Sequence, residues 1–161
     1  MKRVVVTGVG AITPLGIGAD AFWRSLTAGC SGIRRIEAWD PSGLEVQIAG
    51  EVRGFEPKEF MDFKLAKRMD RFAQFAVAAS REALDHAGLE ITDDNREMVG
   101  VVLNTGGGGI PTIEHEVEVM LTKGPKRVSP FLIPLFAPNM ASCQVSIAFG
   151  IRGPLSTSAA A

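Results

Sequence analysis

The chain opens on a run of β-branched residues, Val4-Val5-Val6, the pattern of a short strand buried on both faces. Glycines and a proline then punctuate residues 7–16, which read as a turn-rich loop. Asp20 predicts the N-cap of a short amphipathic helix that carries Phe22, Trp23 and Leu26 and stops at Gly29. Residues 30–60 alternate weakly, and their Gly and Pro positions predict loops with one edge strand near Val46 to Val52. The strongest periodicity predicts a helix from about Lys64 to Ala87. Leu65, Met69, Phe72, Ala76, Ala79 and Ala83 share one stripe, and Gly88 is the stop. Its alanine-rich half would let another backbone approach closely. Val99 to Leu103 predicts a second buried strand, running into Asn104-Thr105 and then four glycines, Gly106 to Gly109. A helix with Pro111 in its first turn should follow, to about Leu121.

From Val128 to Ile151 no residue is charged. Pro130, Pro134 and Pro138 would break a membrane-spanning helix, so the expectation is a bent apolar loop and a buried helix from about Asn139 to Phe149. A small domain cannot easily hide Phe131, Leu132, Ile133, Leu135 and Phe136 around those prolines, which points to an interface. A last strand is expected near Leu155 to Ser158. Strand, two helices, strand, two helices, strand is an α/β sheet order without an internal repeat.

Composition narrows the classes. With 161 residues, 46% hydrophobic and 22% charged, the chain is long enough for a core and is not disordered. Its 17 basic and 18 acidic side chains give no whole-protein field for a nucleic acid or membrane partner, and neither is expected. Cys30 and Cys143 are too few for a disulfide scaffold. The apolar run after Met1-Lys2-Arg3 is too short for a signal peptide, and a reducing cytoplasm is the expected setting.

The candidate chemistry is sparse. Gly8-x-Gly10 lacks both the third glycine and an immediate helix start, so it does not read as a dinucleotide site. Gly106 to Gly109 lacks a following Lys-Ser or Lys-Thr. It is either a tight turn needing positive φ or a backbone wall beside a ligand. His86 and His115 read as solvated helix residues, Cys143 reads as a core residue, and no metal-ligand spacing is present. Two basic knots stand out: Lys64, Lys67, Arg68 and Arg71, then Lys123, Lys126 and Arg127. Cations at a helix start oppose its dipole unless something acidic offsets them, which suggests an acidic partner.

Arg3-Val4-Val5-Val6-Thr7-Gly8-Val9-Gly10 with Thr13-Pro14-Leu15-Gly16 resembles the opening of the elongating β-ketoacyl-[acyl-carrier-protein] synthases. Ser31-Gly32-Ile33, Arg68-Met69-Asp70-Arg71, Thr105-Gly106-Gly107-Gly108-Gly109, Ser129-Pro130-Phe131, Asn139-Met140 and Arg152-Gly153-Pro154 continue the family's order. The resemblance covers the whole chain and favours the type II synthase of fatty-acid elongation. It implies a thiolase-like fold, with residues 1–161 as the amino-terminal half of a duplicated, layered α/β architecture. The nucleophilic cysteine would be the next residue after Ala161. On this expectation the carboxy-terminal half is absent, no catalytic residue lies in this chain, and the chain alone is inactive.

By the same resemblance, Gly107, Ile110, Leu132, Ile133 and Met140 line an acyl pocket, some of them reaching in from the partner subunit of a homodimer. Family members often carry a bulky aliphatic gate where Gly107 stands. Lys64, Lys67, Arg68, Lys126 and Arg127 match a basic surface for the acidic acyl carrier protein. The implied reaction is decarboxylative condensation of acyl groups with malonyl-carrier protein. Phosphopantetheine arrives on the carrier, and no bound cofactor, metal or nicotinamide is implied. The alternatives are an aromatic-polyketide ketosynthase, a non-catalytic ketosynthase-like subunit that shapes a pocket or sets chain length, and a thiolase-like enzyme acting on coenzyme A thioesters.

Overall fold

The structure is a computed structural model that describes residues 3–160. It divides into two compact units, one formed by residues up to Glu56 with Ala79–Leu89, the other by Pro57–Ala78 with the chain from Glu90 onward. The boundary falls inside the longest helix, so each half of that helix serves a different unit.

In the first unit, β1 (Ile12–Thr13) and β2 (Gly16–Ile17) pair antiparallel and lead into α1 (Ala19–Thr27). Asp20 is not the cap of α1. Gly18 occupies that position without a capping side chain, and Asp20 falls in the first turn. The missing cap is supplied from a distance, because the Glu82 carboxylate accepts from the Ala19 amide at 2.6 Å and the Ala11 amide at 2.8 Å. β3 (Ile33–Arg35) and β4 (Ile48–Gly50) then pair antiparallel, Arg34 opposite Ala49. The edge strand expected over 46–52 is therefore shorter, and its partner β3 carried no sequence signal beyond three residues. The loop beside the hairpin is fastened by Glu51, which accepts from the Glu37 and Ala38 amides at 3.0 and 3.1 Å. These bonds favour the charged carboxylate and hold it below its ordinary range, the Ala38 amide contributing most.

The expected strand at Val4-Val5-Val6 does not form. Val4 and Val6 are 94% and 84% exposed, and among the described residues the segment joins no ladder. A buried strand needs neighbours on its edges and faces, and composition alone supplies neither. The end of the segment is held instead by its glycines. A Cβ at Gly8 or Gly10 would overlap the Ala83 or Ala79 carbonyl oxygen of the long helix. The close approach expected from the alanine-rich face is thus realised, and its other half is the glycine pair.

In the second unit, the helix expected over 64–87 is two helices, α2 (Phe63–Ala66) and α3 (Arg71–Ala87). Asp62 caps α2 through Oδ1, 2.7 Å from the Lys64 amide. At the break, the Gln74 side chain donates to the Ala66 and Met69 carbonyls at 3.0 and 3.2 Å, replacing bonds that a continuous helix would make. The core centres on Met61, Met69, Ala73, Val77, Val101, Val145 and Ile151, with Val77 fully buried. The break moves the buried stripe from the predicted Ala76 line towards Ala73 and Val77.

β5 (Val101–Thr105) and β6 (Leu155–Ala159) pair parallel, with Val102 opposite Ser156 and Asn104 opposite Ser158. The expected second strand is thus present, but it extends through Asn104-Thr105 and is buried on one face only, since Val102 is 77% exposed. Between these strands lie α4 (Ile110–Lys123), α5 (Leu132–Phe136) and α6 (Met140–Phe149). The apolar loop predicted before α6 contains α5. Buried Ser142 on α6 donates to the Asn139 carbonyl at 2.9 Å, so the 2.6 Å bond to Thr157 on β6 has Thr157 as donor. No helix among the described residues is long and apolar enough to cross a membrane.

Candidate functional site

The basic stretch around α2 and the start of α3 is open to solvent. Lys64, Lys67 and Arg68 are exposed, and no ion pair among the described residues engages them. Lys67 lies over the Phe63 ring at 4.4 Å, which holds that cation without neutralising it, and Arg71 lies over Phe75 at 4.8 Å. The acidic offset that these helix starts require is internal: Asp62 caps α2, and Asp70 stands at the start of α3. The Asp70 carbonyl accepts from the Ala73 and Gln74 amides at 3.0 and 3.1 Å. Helix electrostatics alone therefore does not demand an acidic partner, and the exposed cations carry that case. Lys126 and Arg127 sit exposed on a single 3-10 turn, Pro125–Arg127, packed against α4.

The glycine run after β5 is a turn knit to three elements. The Thr105 hydroxyl accepts from the Gly107 and Gly108 amides at 3.4 and 3.1 Å. Gly108 has φ +72°, and the Gly109 amide donates to the Phe136 carbonyl of α5 at 2.9 Å. The tight-turn reading holds at Gly108, which has positive φ, and Gly108 and Gly109 are also approached closely by Phe136, Pro138, Asp70 and Leu135 of this chain. Gly109 then precedes α4 as an N-cap with no side chain to offer, and no acid lies in the first turn of α4. Asp70 fills that role from another element. Its side chain is buried, accepts a short hydrogen bond from the Thr112 hydroxyl and faces the Gly109 backbone. A carboxylate so placed favours the helix by about 0.3–2 kcal/mol.

The residues expected to line a pocket fall on neighbouring elements. Ile110 begins α4, and its side chain folds over Gly107, so that a Cβ at Gly107 would lie 3.2 Å from Ile110 Cδ1. Leu132 and Ile133 are on α5, and Met140 begins α6. α4 packs on α5 and α5 on α6. Gly107, Leu132 and Met140 are half-buried, whereas Ile110 and Ile133 are exposed. Asp70 is the residue that motif reading passed over: it was visible inside Arg68-Met69-Asp70-Arg71 as a lone acid among cations, spaced as an N-cap before Ala73.

Among the described residues, neither Cys143 nor either histidine forms a nucleophile–base pair. The Cys143 sulfur faces the Asn139 amide nitrogen at 3.9 Å, not a base. His86 is exposed, and its Nδ1 accepts from the Val9 amide at 3.2 Å, a bond absent from the sequence reading; His115 is also exposed. Among the described residues no group of three or more His, Cys, Asp or Glu could hold a metal ion.

Residues 1–161 match the N-terminal domain of β-ketoacyl synthase. The chain belongs to the β-ketoacyl synthase family. It is 46% identical over 153 residues to 3-oxoacyl-[acyl-carrier-protein] synthase 2 of Synechocystis, covering 95% of this chain and 37% of the relative. The Coxiella burnetii protein of the same name is 44% identical with the same coverage. Among solved structures, the ishigamide ketosynthase/chain length factor superposes with a TM-score of 0.82 at 30% identity, over 96% of this chain and 39% of that one. The α/β fold is thus thiolase-like, as the sequence motifs implied. The chain spans little more than a third of the length of these curated relatives.

Proposed function

We propose that this chain is the amino-terminal part of a 3-oxoacyl-[acyl-carrier-protein] synthase, which condenses acyl groups with malonyl-carrier protein in fatty-acid elongation. The observation that carries the reading is 46% identity across 95% of the chain to a relative of that name. The part in hand contributes binding. Gly107, Ile110, Leu132, Ile133 and Met140 form a wall of the acyl pocket, and Lys64, Lys67, Arg68, Lys126 and Arg127 dock the acidic carrier. Those cations are exposed and, among the described residues, make no ion pair, which supports the second role. The reading includes phosphopantetheine delivered on the carrier rather than a resident cofactor, a cytoplasmic setting, and a homodimer for which exposed Phe131 and Ile133 are suitable surface. A ketosynthase-like chain-length subunit is the second reading, favoured by the likeness to the ishigamide ketosynthase/chain length factor.

The test uses the full-length protein with acyl-carrier and malonyl-carrier substrates. A 3-oxoacyl-carrier product is expected, and its absence with every acyl chain tried would favour the subunit reading. Reversing charge in the double variant Lys67→Glu, Arg68→Glu should raise the apparent KM for acyl-carrier about tenfold while sparing small thioester mimics. Equal loss with both substrates would assign those residues to folding.

A further inference from the structure

We infer that Asp70 is a positioning residue that sets the acyl-chain selectivity of the pocket, an inference that rests on the proposed roles of Gly107 and Ile110. Asp70 is only 9% exposed although it lies between two arginines in sequence. A buried carboxylate is retained where its oxygens have fixed work. Its carbonyl closes the first turn of α3 through the Ala73 and Gln74 amides. Its carboxylate takes the Thr112 hydroxyl of α4. It also abuts Gly109 so closely that a Cβ there would lie 2.8 Å from Oδ2, and 2.9 Å from the Leu135 carbonyl oxygen on the other side. One residue thus fastens α3 with its main chain and seats the start of α4 with its side chain. The next residue along, Ile110, is the one whose side chain folds over Gly107. Gly107 has no side chain of its own and, its chain neighbours apart, the only described atoms within 4 Å of where its Cβ would stand belong to Ile110, so the reach of Ile110 sets what lies over Gly107. That reach depends on where Gly109 and Thr112 are held. The Asp70 carboxylate faces Thr112 and Gly109, and it acts through this chain of contacts.

The discriminating readout is a ratio. In the full-length synthase, kcat/KM is measured for hexanoyl- and tetradecanoyl-carrier, and their quotient cancels the fraction of active protein. Asp70→Asn and Thr112→Val should both shift that quotient by about threefold or more toward the longer chain, as Ile110 is released from Gly107. Thr112→Ser, which keeps the hydroxyl, should restore the wild-type quotient. An unchanged quotient, with both substrates losing rate in parallel, overturns the inference and leaves Asp70 a structural residue. If Asp70→Asn does not fold, the Thr112→Val and Thr112→Ser pair decides alone. A wild-type protein that makes no product with either chain fails differently: it overturns the reading of function, and the pocket with it.

Discussion

At Gly108 the backbone adopts φ +72°, and an added methyl would overlap the Phe136 carbonyl oxygen and crowd Pro138. Both penalties fall on main chain, which cannot swing aside as a side-chain tip can. Gly108→Ala should therefore cost about 2–4 kcal/mol in chemical denaturation. Gly107→Ala, which meets only the flexible end of Ile110, should cost far less; equal losses would mean that the turn is not held as described. A second single-residue effect concerns charge. The Glu51 carboxyl sits below its ordinary value of 4.5 because the Ala38 and Glu37 amides bond its charged form. The charged form is favoured by folding, so its contribution is present above the unfolded carboxyl's pKa and is lost as pH falls through the lower, folded value. Amide shifts of Glu37 and Ala38 should titrate together below about pH 4.5 in the wild type and stay flat in Glu51→Ala. Flat shifts in both proteins would remove the carboxylate from the loop's hydrogen bonding.

The helices legible in the sequence were those that hydrogen-bond within themselves, and β5 and β6 formed near where strands were expected. α1 lies where apolar spacing put it, and α3 is the larger part of the helix expected over 64–87; α4 was expected from Pro111 and α6 from the uncharged stretch, and Gly29 and Gly88 follow α1 and α3 as expected. The errors share a cause, which is that the deciding contact lies outside the repeat that periodicity reads. The α2–α3 break depends on Gln74 reaching back to Ala66, a bond that no helical stripe encodes. Val4-Val5-Val6 has a strand's composition without a ladder. β3 and β4 are fixed by pairing across the intervening loop, not by their own alternation. The candidate site divides the same way. Its cations and apolar residues could be read from ordered motifs. The seating of α4 by Asp70, 42 positions from Thr112, could not.

On the scale of the whole molecule, two compact units carry the fold, and the family match runs through both. The second unit has the continuous apolar core, while β5 and β6 leave one face of a parallel pair uncovered, an arrangement that parallel sheets ordinarily avoid. The bare segment at Val4-Val5-Val6 has a practical result for handling the purified chain. An extended β-branched run without a ladder offers free amides and carbonyls to any chain it meets, and copies of itself are the most abundant ones in a tube. The 161-residue polypeptide should therefore scatter light increasingly as it is concentrated. Val4→Lys with Val6→Lys should suppress that by placing like charges along the exposed edge. Scattering that is indifferent to the two lysines would locate the stickiness elsewhere. If the lysines do suppress it, the first visible consequence of this segment is a solubility limit that two surface charges can move.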